Sequence, residues 1–321
     1  MADRIALTDI MRAKKRIAAF IKETPLIRAE KLEELFDGAK IYLKCENMQN
    51  TGSFKVRGVA NKMCSLTGDE KKHGVTAASS GNHAQAVSYI AQKLGIKACI
   101  VMPENAPESK ISGAKSYGAK VILHGFTGED RDAKCYELIK KYSYSLVHSH
   151  TDPLVIAGHG TLAAELYQQI AGSFDELVIP CGAGSLTSGA AFTMKKLDNS
   201  ITTTAVEPAE VPRFKESIKS GRPVTVEMGD TIADGLRVSK AETINFEMIC
   251  ENVDHLIAVQ EASIRQAVKE IAMRAKIVAE PSACVGIAAA LEGKINTSKG
   301  RKIVFIISGG NMDSDMLSRL L

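Results

Sequence analysis

The stretch Thr51-Gly52-Ser53-Phe54-Lys55-Val56-Arg57-Gly58 follows an apolar run, Ile41 to Cys45, that reads as a strand. Gly52 and Ser53 are small turn formers, and they bring Lys55 to the mouth of a helix. A lysine near the positive end of a helix and beside Arg57 has its ammonium form disfavoured. That lowers its pKa and frees the amine for Schiff-base chemistry. The same residues also suit a solvated lysine flanking a glycine turn, so the chemistry depends on what the rest of the chain brings to this point.

On either side of that stretch, short apolar runs alternate with amphipathic ones. Val75 to Ser79, Ala98 to Met102, Val121 to His124 and Ser145 to His148 read as strands. Helices are expected from His83 to Leu94, Lys110 to Tyr117 and Ala133 to Lys141. A helix from Thr161 to Ile170 then leads to the strongly apolar strand Leu177 to Pro180. Thr203 to Val206, Leu256 to Val259 and Ile303 to Ile307 are the later strands, with helices at Ile264 to Arg274 and Val285 to Leu291. The chain opens with a helix that Thr8 or Asp9 can cap and Pro25 ends. This βαβ punctuation predicts an α/β fold with a mostly parallel sheet covered on both faces. Glu207 to Arg237, rich in Gly, Pro and charge, reads as a long surface excursion.

Composition excludes several classes. The 321 residues exceed the usual single-domain size, so two domains are expected. The excess of four basic charges is small and dispersed, which argues against nucleic acid or membrane partners. No run could span a bilayer and the N-terminus lacks an apolar signal core, so a soluble cytoplasmic protein is expected. The seven cysteines are scattered without a Cys-x-x-Cys pair, consistent with reduced, buried thiols and neither zinc nor disulfides.

Three further stretches bear on Lys55. In Ala78-Ser79-Ser80-Gly81-Asn82-His83-Ala84-Gln85 a strand stops in small residues and a helix starts, so free N–H groups and two hydroxyls suit a carboxylate or phosphate. An ordinary Asn-capped helix with a surface histidine is the competing reading. In Pro180-Cys181-Gly182-Ala183-Gly184-Ser185-Leu186 two glycines let the backbone wrap an anion before a helix rich in small residues. The dinucleotide fingerprint is not met, because the next glycine is Gly189, and no Gly-Lys-Ser/Thr follows for a Walker loop. Ile307-Ser308-Gly309-Gly310-Asn311 ends a buried strand in a hydroxyl and two glycines. An amine, a phosphate cup, a carboxylate site and a strand-terminal serine together match the needs of pyridoxal 5′-phosphate. Lys55 meets the aldehyde, Gly182 to Leu186 the phosphate, Asn82 the ring hydroxyl and Ser308 the ring nitrogen. A nicotinamide oxidoreductase using Gly182-Ala183-Gly184 and a non-catalytic small-molecule binding protein are the rival classes.

From its first helix to its last strand the sequence is similar to the serine/threonine dehydratase and serine racemase family of fold-type II pyridoxal-phosphate enzymes. The segments that carry the resemblance are KCENMQNTGSFKVRG, SSGNHAQ, VIAGHGT, TIADGL, AEPSACVG and ISGGN. It implies two open, twisted, mostly parallel sheets covered by helices, with the cofactor in the cleft. Residues 1–68 and 152–321 would form a large domain and 76–150 a small one. It also implies that Lys55 carries the covalent link, that Phe54 packs beside it, and that Gly235 and Glu280 lie at the cofactor. Ser79, Ser80, Gly81, Asn82 and His83 would bind substrate. Cysteine synthases look different at the carboxylate loop, with Asn-Thr-Gly where this chain has Asn82-His83-Ala84. The short stretch after Ser308 resembles the type without a C-terminal effector domain, and a homodimer or homotetramer is expected.

Three departures set further expectations. Ala183 and Ser185 replace two glycines of the family's cup. Glu207 matches the first acid of a divalent-cation site known in eukaryotic racemases, but Arg213 stands at the second, so no metal is expected. Ser149-His150 stands where the racemases carry Pro-Asn, and His150 is a candidate for substrate choice. A serine at the ring nitrogen cannot hold it protonated, which favours elimination of a β-hydroxyl from serine- or threonine-type amino acids over transamination. Lys55 acts as the base in this scheme, and a 2-oxo acid and ammonia are the products. Ser80, opposite Lys55, would add racemisation. Arg131, near acidic neighbours, would hold a second carboxylate and favour 3-hydroxyaspartate or aspartate.

Overall fold

The computed structural model describes residues 5–171 and 173–321. Its strands are β1 (Leu26–Arg28), β2 (Lys40–Cys45), β3 (Val75–Ala78), β4 (Ala98–Met102), β5 (Lys120–Leu123), β6 (Ser145–Leu146), β7 (Glu176–Pro180), β8 (Thr202–Pro208), β9 (His255–Val259) and β10 (Lys302–Ile307). They form two sheets, in the orders β1-β2-β10-β7-β8-β9 and β5-β4-β3-β6. Every pairing is parallel except that of β1 with β2. Parallel strands need crossover helices, which cover both faces and leave the central strands apolar throughout. β7 is buried along its whole length, and β10 from Ile303 onward. Among the described residues no helix is long and apolar enough to cross a membrane.

Register brings the two decisive stretches together. β2 and β10 run parallel with Cys45 beside Ile307, so their C-terminal ends are level. The chain leaving each then meets the other. Ser53 bridges Gly309, the Phe54 N–H donates to Ser308 O at 3.0 Å, and the Gly310 N–H donates to Gly52 O at 3.0 Å. Lys55 opens the helix Lys55–Cys64 at the carboxyl ends of the strands, the usual place for a ligand in an open α/β sheet.

That helix is seated by close contact and buried charge. It crosses the helix Pro153–Gln169 where Gly58 faces Gly158. A Cβ on Gly58 would lie 2.5 Å from His159 Nε2 and 2.7 Å from Val155 O. Just before Gly58, Arg57 is fully buried and donates to both Glu46 and Glu165, with four bonds of 2.8 to 2.9 Å. Lys44 completes the group, 2.6 Å from Glu165. Burial pushes the Glu165 carboxyl up, but Arg57 and Lys44 outweigh it and hold it below the usual range.

Some element boundaries differ from expectation. The first helix spans Leu7–Ile17 with Ala6 at its N-cap. Asp9 lies inside it and accepts from the Ala6 N–H at 2.9 Å, and the helix stops well before Pro25. The helix expected from Thr161 begins at Pro153, because Asp152 caps it and proline is suited to a first turn. The excursion after Glu207 contains a helix, Arg213–Ser220, and a further helix, Thr243–Asn252, follows it. All seven cysteines are free.

Candidate active site

Lys55 is half-buried, and its Nζ donates to Ser149 O at 3.2 Å and lies 5.1 Å from the centre of the Phe54 ring. Burial lowers its pKa to about 8, against the opposing pull of Glu280. The shift has the expected direction but another cause. Arg57 points away from Lys55 into the Glu46 and Glu165 carboxylates, which neutralise it. Phe54 in turn packs edge-on to His159, with ring centres 4.7 Å apart.

Asn82 begins the helix Asn82–Leu94 after the half-buried turn Ser79-Ser80-Gly81. Its Nδ2 donates to Glu280 at 2.9 Å, while its Oδ1 accepts from Asn311 at 2.8 Å. The Asn311 Nδ2 also donates to Thr51 O at 2.7 Å. Glu280 is buried and pushed up to about 8 by desolvation, so it is mostly protonated at neutral pH. A Cβ on Gly309 would fall 2.4 Å from its Oε1. Asn82, Glu280 and the Ser308-Gly309 turn therefore meet on one wall of the Lys55 cleft.

The loop after β7 forms the other end. Its backbone N–H groups from Gly182 to Leu186 donate to nothing among the described residues, and Ser185 starts the helix Ser185–Leu197. Gly184 has φ +96°, a conformation that glycine adopts without strain. Unpaired amides at a helix start make an anion cradle. Gly235 faces this loop. A Cβ on Gly182 would lie 3.1 Å from Gly235 O, and the Gly235 N–H donates to Ser282 Oγ at 2.9 Å. Leu186 packs into the core below the loop.

His83 is buried and not a surface residue. Its Nε2 lies 2.8 Å from Val147 O, and burial lowers its pKa to about 3. His150 pairs through Nδ1 with Ser149 Oγ at 2.7 Å, next to the carbonyl that holds Lys55. Burial, His148 and Lys55 keep it neutral. The Ser80 hydroxyl forms no hydrogen bond among the described residues. Arg131 lies near the start of the helix that follows β5. Its Nε donates to Thr127 O at 3.1 Å, back over the start of its own helix Gly128–Tyr142.

Where a second acid would complete a cation site, the structure has the buried Arg213 guanidinium 4.0 Å from Glu207, bonded to the carbonyls of Cys181 and Gly182. The sequence reading missed Asn245 and Asn311 altogether. Asn311 stands within the quoted ISGGN segment, but Asn245 sits on a helix that no strong periodicity announces.

A family model described as pyridoxal-phosphate dependent enzyme matches residues 17–309. The chain belongs to the pyridoxal-phosphate dependent enzyme family. Within it, an L-threonine ammonia-lyase of Thermotoga maritima is 39% identical over 317 residues, covering 99% of this chain and 78% of the relative. The catabolic L-threonine dehydratase TdcB of Escherichia coli K12 is 38% identical, covering 98% and 96%. The structure of maize serine racemase superposes with a TM-score of 0.92 at 34% identity, covering 98% and 95%. The fold expected from the resemblance is the fold found, and as a family member the chain is a pyridoxal-phosphate-dependent enzyme.

Proposed function

We propose that the protein is an ammonia-lyase that removes the β-hydroxyl of L-serine- or L-threonine-type amino acids, yielding a 2-oxo acid and ammonia. The observation that carries this reading is a half-buried lysine with pKa about 8 at the ends of β2 and β10, in one cleft with a loop of unpaired amides. Those residues fit pyridoxal 5′-phosphate. The amine of Lys55 is available for covalent attachment, the amides from Gly182 to Leu186 suit a phosphate, and Phe54, Asn82, Gly235, Glu280 and Ser308 border the space between. Bound there, the cofactor supplies the electron sink that acidifies the substrate's α-carbon.

The chain's own residues do the rest. Ser79, Ser80 and Gly81, at the start of the Asn82–Leu94 helix, bind the substrate carboxylate. Lys55 Nζ, half neutral near pH 8, takes the α-proton. The Ser308 hydroxyl is too weak an acid to protonate a ring nitrogen, and protonated Glu280 holds Asn82 without adding a negative charge. We assign 76–150 to a small domain and 1–68 with 152–321 to a large one, closing on this cleft. Purified protein supplied with cofactor should gain a visible band that Lys55→Ala lacks, and should form 2-oxo acid from serine or threonine. A colourless protein that takes up no cofactor would overturn the reading.

A second activity is favoured by Ser80. Its unbonded hydroxyl could return a proton to the face opposite Lys55, giving racemisation, and the D-isomer should then fall in Ser80→Ala while elimination persists. A second substrate carboxylate on Arg131 is the alternative substrate reading, and turnover of 3-hydroxyaspartate that falls in Arg131→Ala while serine turnover persists would support it.

A further inference from the structure

We propose that Arg213 and Asn245 are positioning residues that aim the amides of the Gly182–Gly184 turn at the cofactor's phosphate. The inference rests on the reading above, that this loop holds the phosphate. Three consecutive carbonyls of the turn are held from behind by these two side chains. Arg213 Nη2 donates to Cys181 O at 2.7 Å, Arg213 Nε to Gly182 O at 2.9 Å, and Asn245 Nδ2 to Ala183 O at 3.0 Å. In a trans peptide the carbonyl of one residue and the N–H of the next point in opposite directions. Fixing those carbonyls therefore turns the N–H groups of Gly182, Ala183 and Gly184 the other way, and none of the three donates to a described residue.

Both side chains are rigidly placed. Arg213 and Asn245 are fully buried. The Glu207 carboxylate accepts the N–H groups of Phe214 and Lys215, at 3.1 and 2.9 Å, and so fixes the start of the helix that carries Arg213. A Cβ on Gly184 would lie 2.8 Å from both Asn245 Cβ and Phe214 Cζ, so the turn is pressed against its supports. The guanidinium also places a positive charge behind two of these peptide dipoles in a dry interior, which strengthens their N–H ends toward an anion. Asn245 reaches further. Its Nδ2 also donates to His150 O at 2.9 Å, and its Oδ1 accepts from Ser188 Oγ at 3.1 Å. Ser149, next to His150, supplies the carbonyl for Lys55. One amide thus sets the distance between the phosphate end and the lysine end of the site.

The test compares equilibrium affinities for pyridoxal phosphate and for pyridoxal, which lacks the phosphate, in the wild type, Arg213→Gln, Arg213→Lys and Asn245→Ala. Each Arg213 variant should weaken the phosphorylated form by about tenfold or more and pyridoxal by no more than about twofold, because its lost bonds act at the phosphate end, whereas Asn245→Ala, which also loses the bond to His150 O, should weaken both forms but the phosphorylated one by about fivefold more. Lysine keeps the charge but lacks the planar fork whose Nε and Nη2 meet the Gly182 and Cys181 carbonyls from fixed directions, so Arg213→Lys should not rescue. The phosphorus resonance of bound cofactor should shift in each variant. Where Arg213→Gln does not fold, Asn245→Ala carries the test. A wild type that binds both forms equally would remove the underlying phosphate reading. A wild type that discriminates, with variants that bind the phosphorylated form unchanged or weaken both forms alike, would overturn the positioning role itself.

Discussion

Lys55 and Glu280 are a lysine and a glutamate in one cleft that burial drives toward neutrality from opposite sides, each to about 8. For Lys55 the consequence is kinetic. The rate at which the cofactor-free protein takes up pyridoxal phosphate should rise through about pH 8, and a rise that begins only above pH 10 would remove burial as the activating cause. For Glu280 the consequence is stability. Its folded value is raised from 4.5, so between about 4.5 and 8 the folded chain holds a proton that the unfolded chain has lost. The stabilisation is therefore complete below about 4.5 and disappears as pH rises through about 8. Gln keeps the shape and is neutral at every pH. Glu280→Gln apoprotein should match wild type in urea melts near pH 4.5 and exceed it near pH 8, and parallel curves would contradict the shift. At this scale the sequence disclosed the type of chemistry more readily than the partners. Lys55, Asn82 and Ser308 were legible because each ends or starts an element in small residues. The role of Arg57 was misread, because its carboxylate partners Glu46 and Glu165 stand 11 and 108 positions away.

The helix Lys55–Cys64 is held by two devices that predict opposite kinds of mutational behaviour. Arg57 with Glu46, Glu165 and Lys44 is a charge group sealed from water, so Arg57→Met leaves two carboxylates facing one ammonium. Breaking such a group should cost about 3–5 kcal/mol, read as a lower urea midpoint. The double variant Arg57→Met, Glu46→Gln should recover part of that loss, since it leaves Lys44 paired with Glu165 and no charge over. The Gly58 contact is steric. Gly58→Ala must push His159 and the Val155 carbonyl apart, costing about 1–3 kcal/mol, and His159→Ala should relieve only part because Val155 O stays. Element positions were legible wherever apolar residues run unbroken, as in β4, β7 and β10. They were not legible where local chemistry overrides periodicity. Asp152 and Pro153 start their helix eight residues before the expected Thr161, and the Arg213–Ser220 helix hides in a stretch whose Gly and Pro signal a loop.

Taken whole, the chain folds as two sheets whose strands interleave in sequence, with β3 to β6 lying between β2 and β7. The alternation of strands and helices disclosed parallel pairing. It carried no information on which sheet a strand joins, because β2 pairs with β10 across more than half the chain. The division came instead from the family resemblance. Between the two sheets' helices and loops lies the cleft, and among the described residues one ion pair spans it. Lys110, on the helix Glu108–Lys115 that follows β4, lies 2.8 Å from Asp234, beside Gly235 and the anion loop. Asp234 is more than half exposed, so the pair adds little to stability. Its place gives it another effect, since any motion that opens the cleft must separate it. Losing it should favour the open form by up to about 1 kcal/mol, or about fivefold in kcat/KM, while the urea midpoint barely changes. Screening supplies the control, because exposed charges lose their attraction at high ionic strength. Lys110→Met should therefore trail wild type at low salt and draw level with it near about 0.5 M salt, where the wild-type pair is itself screened. A deficit that stays constant across that range would assign Lys110 to direct contact with substrate and remove the latch.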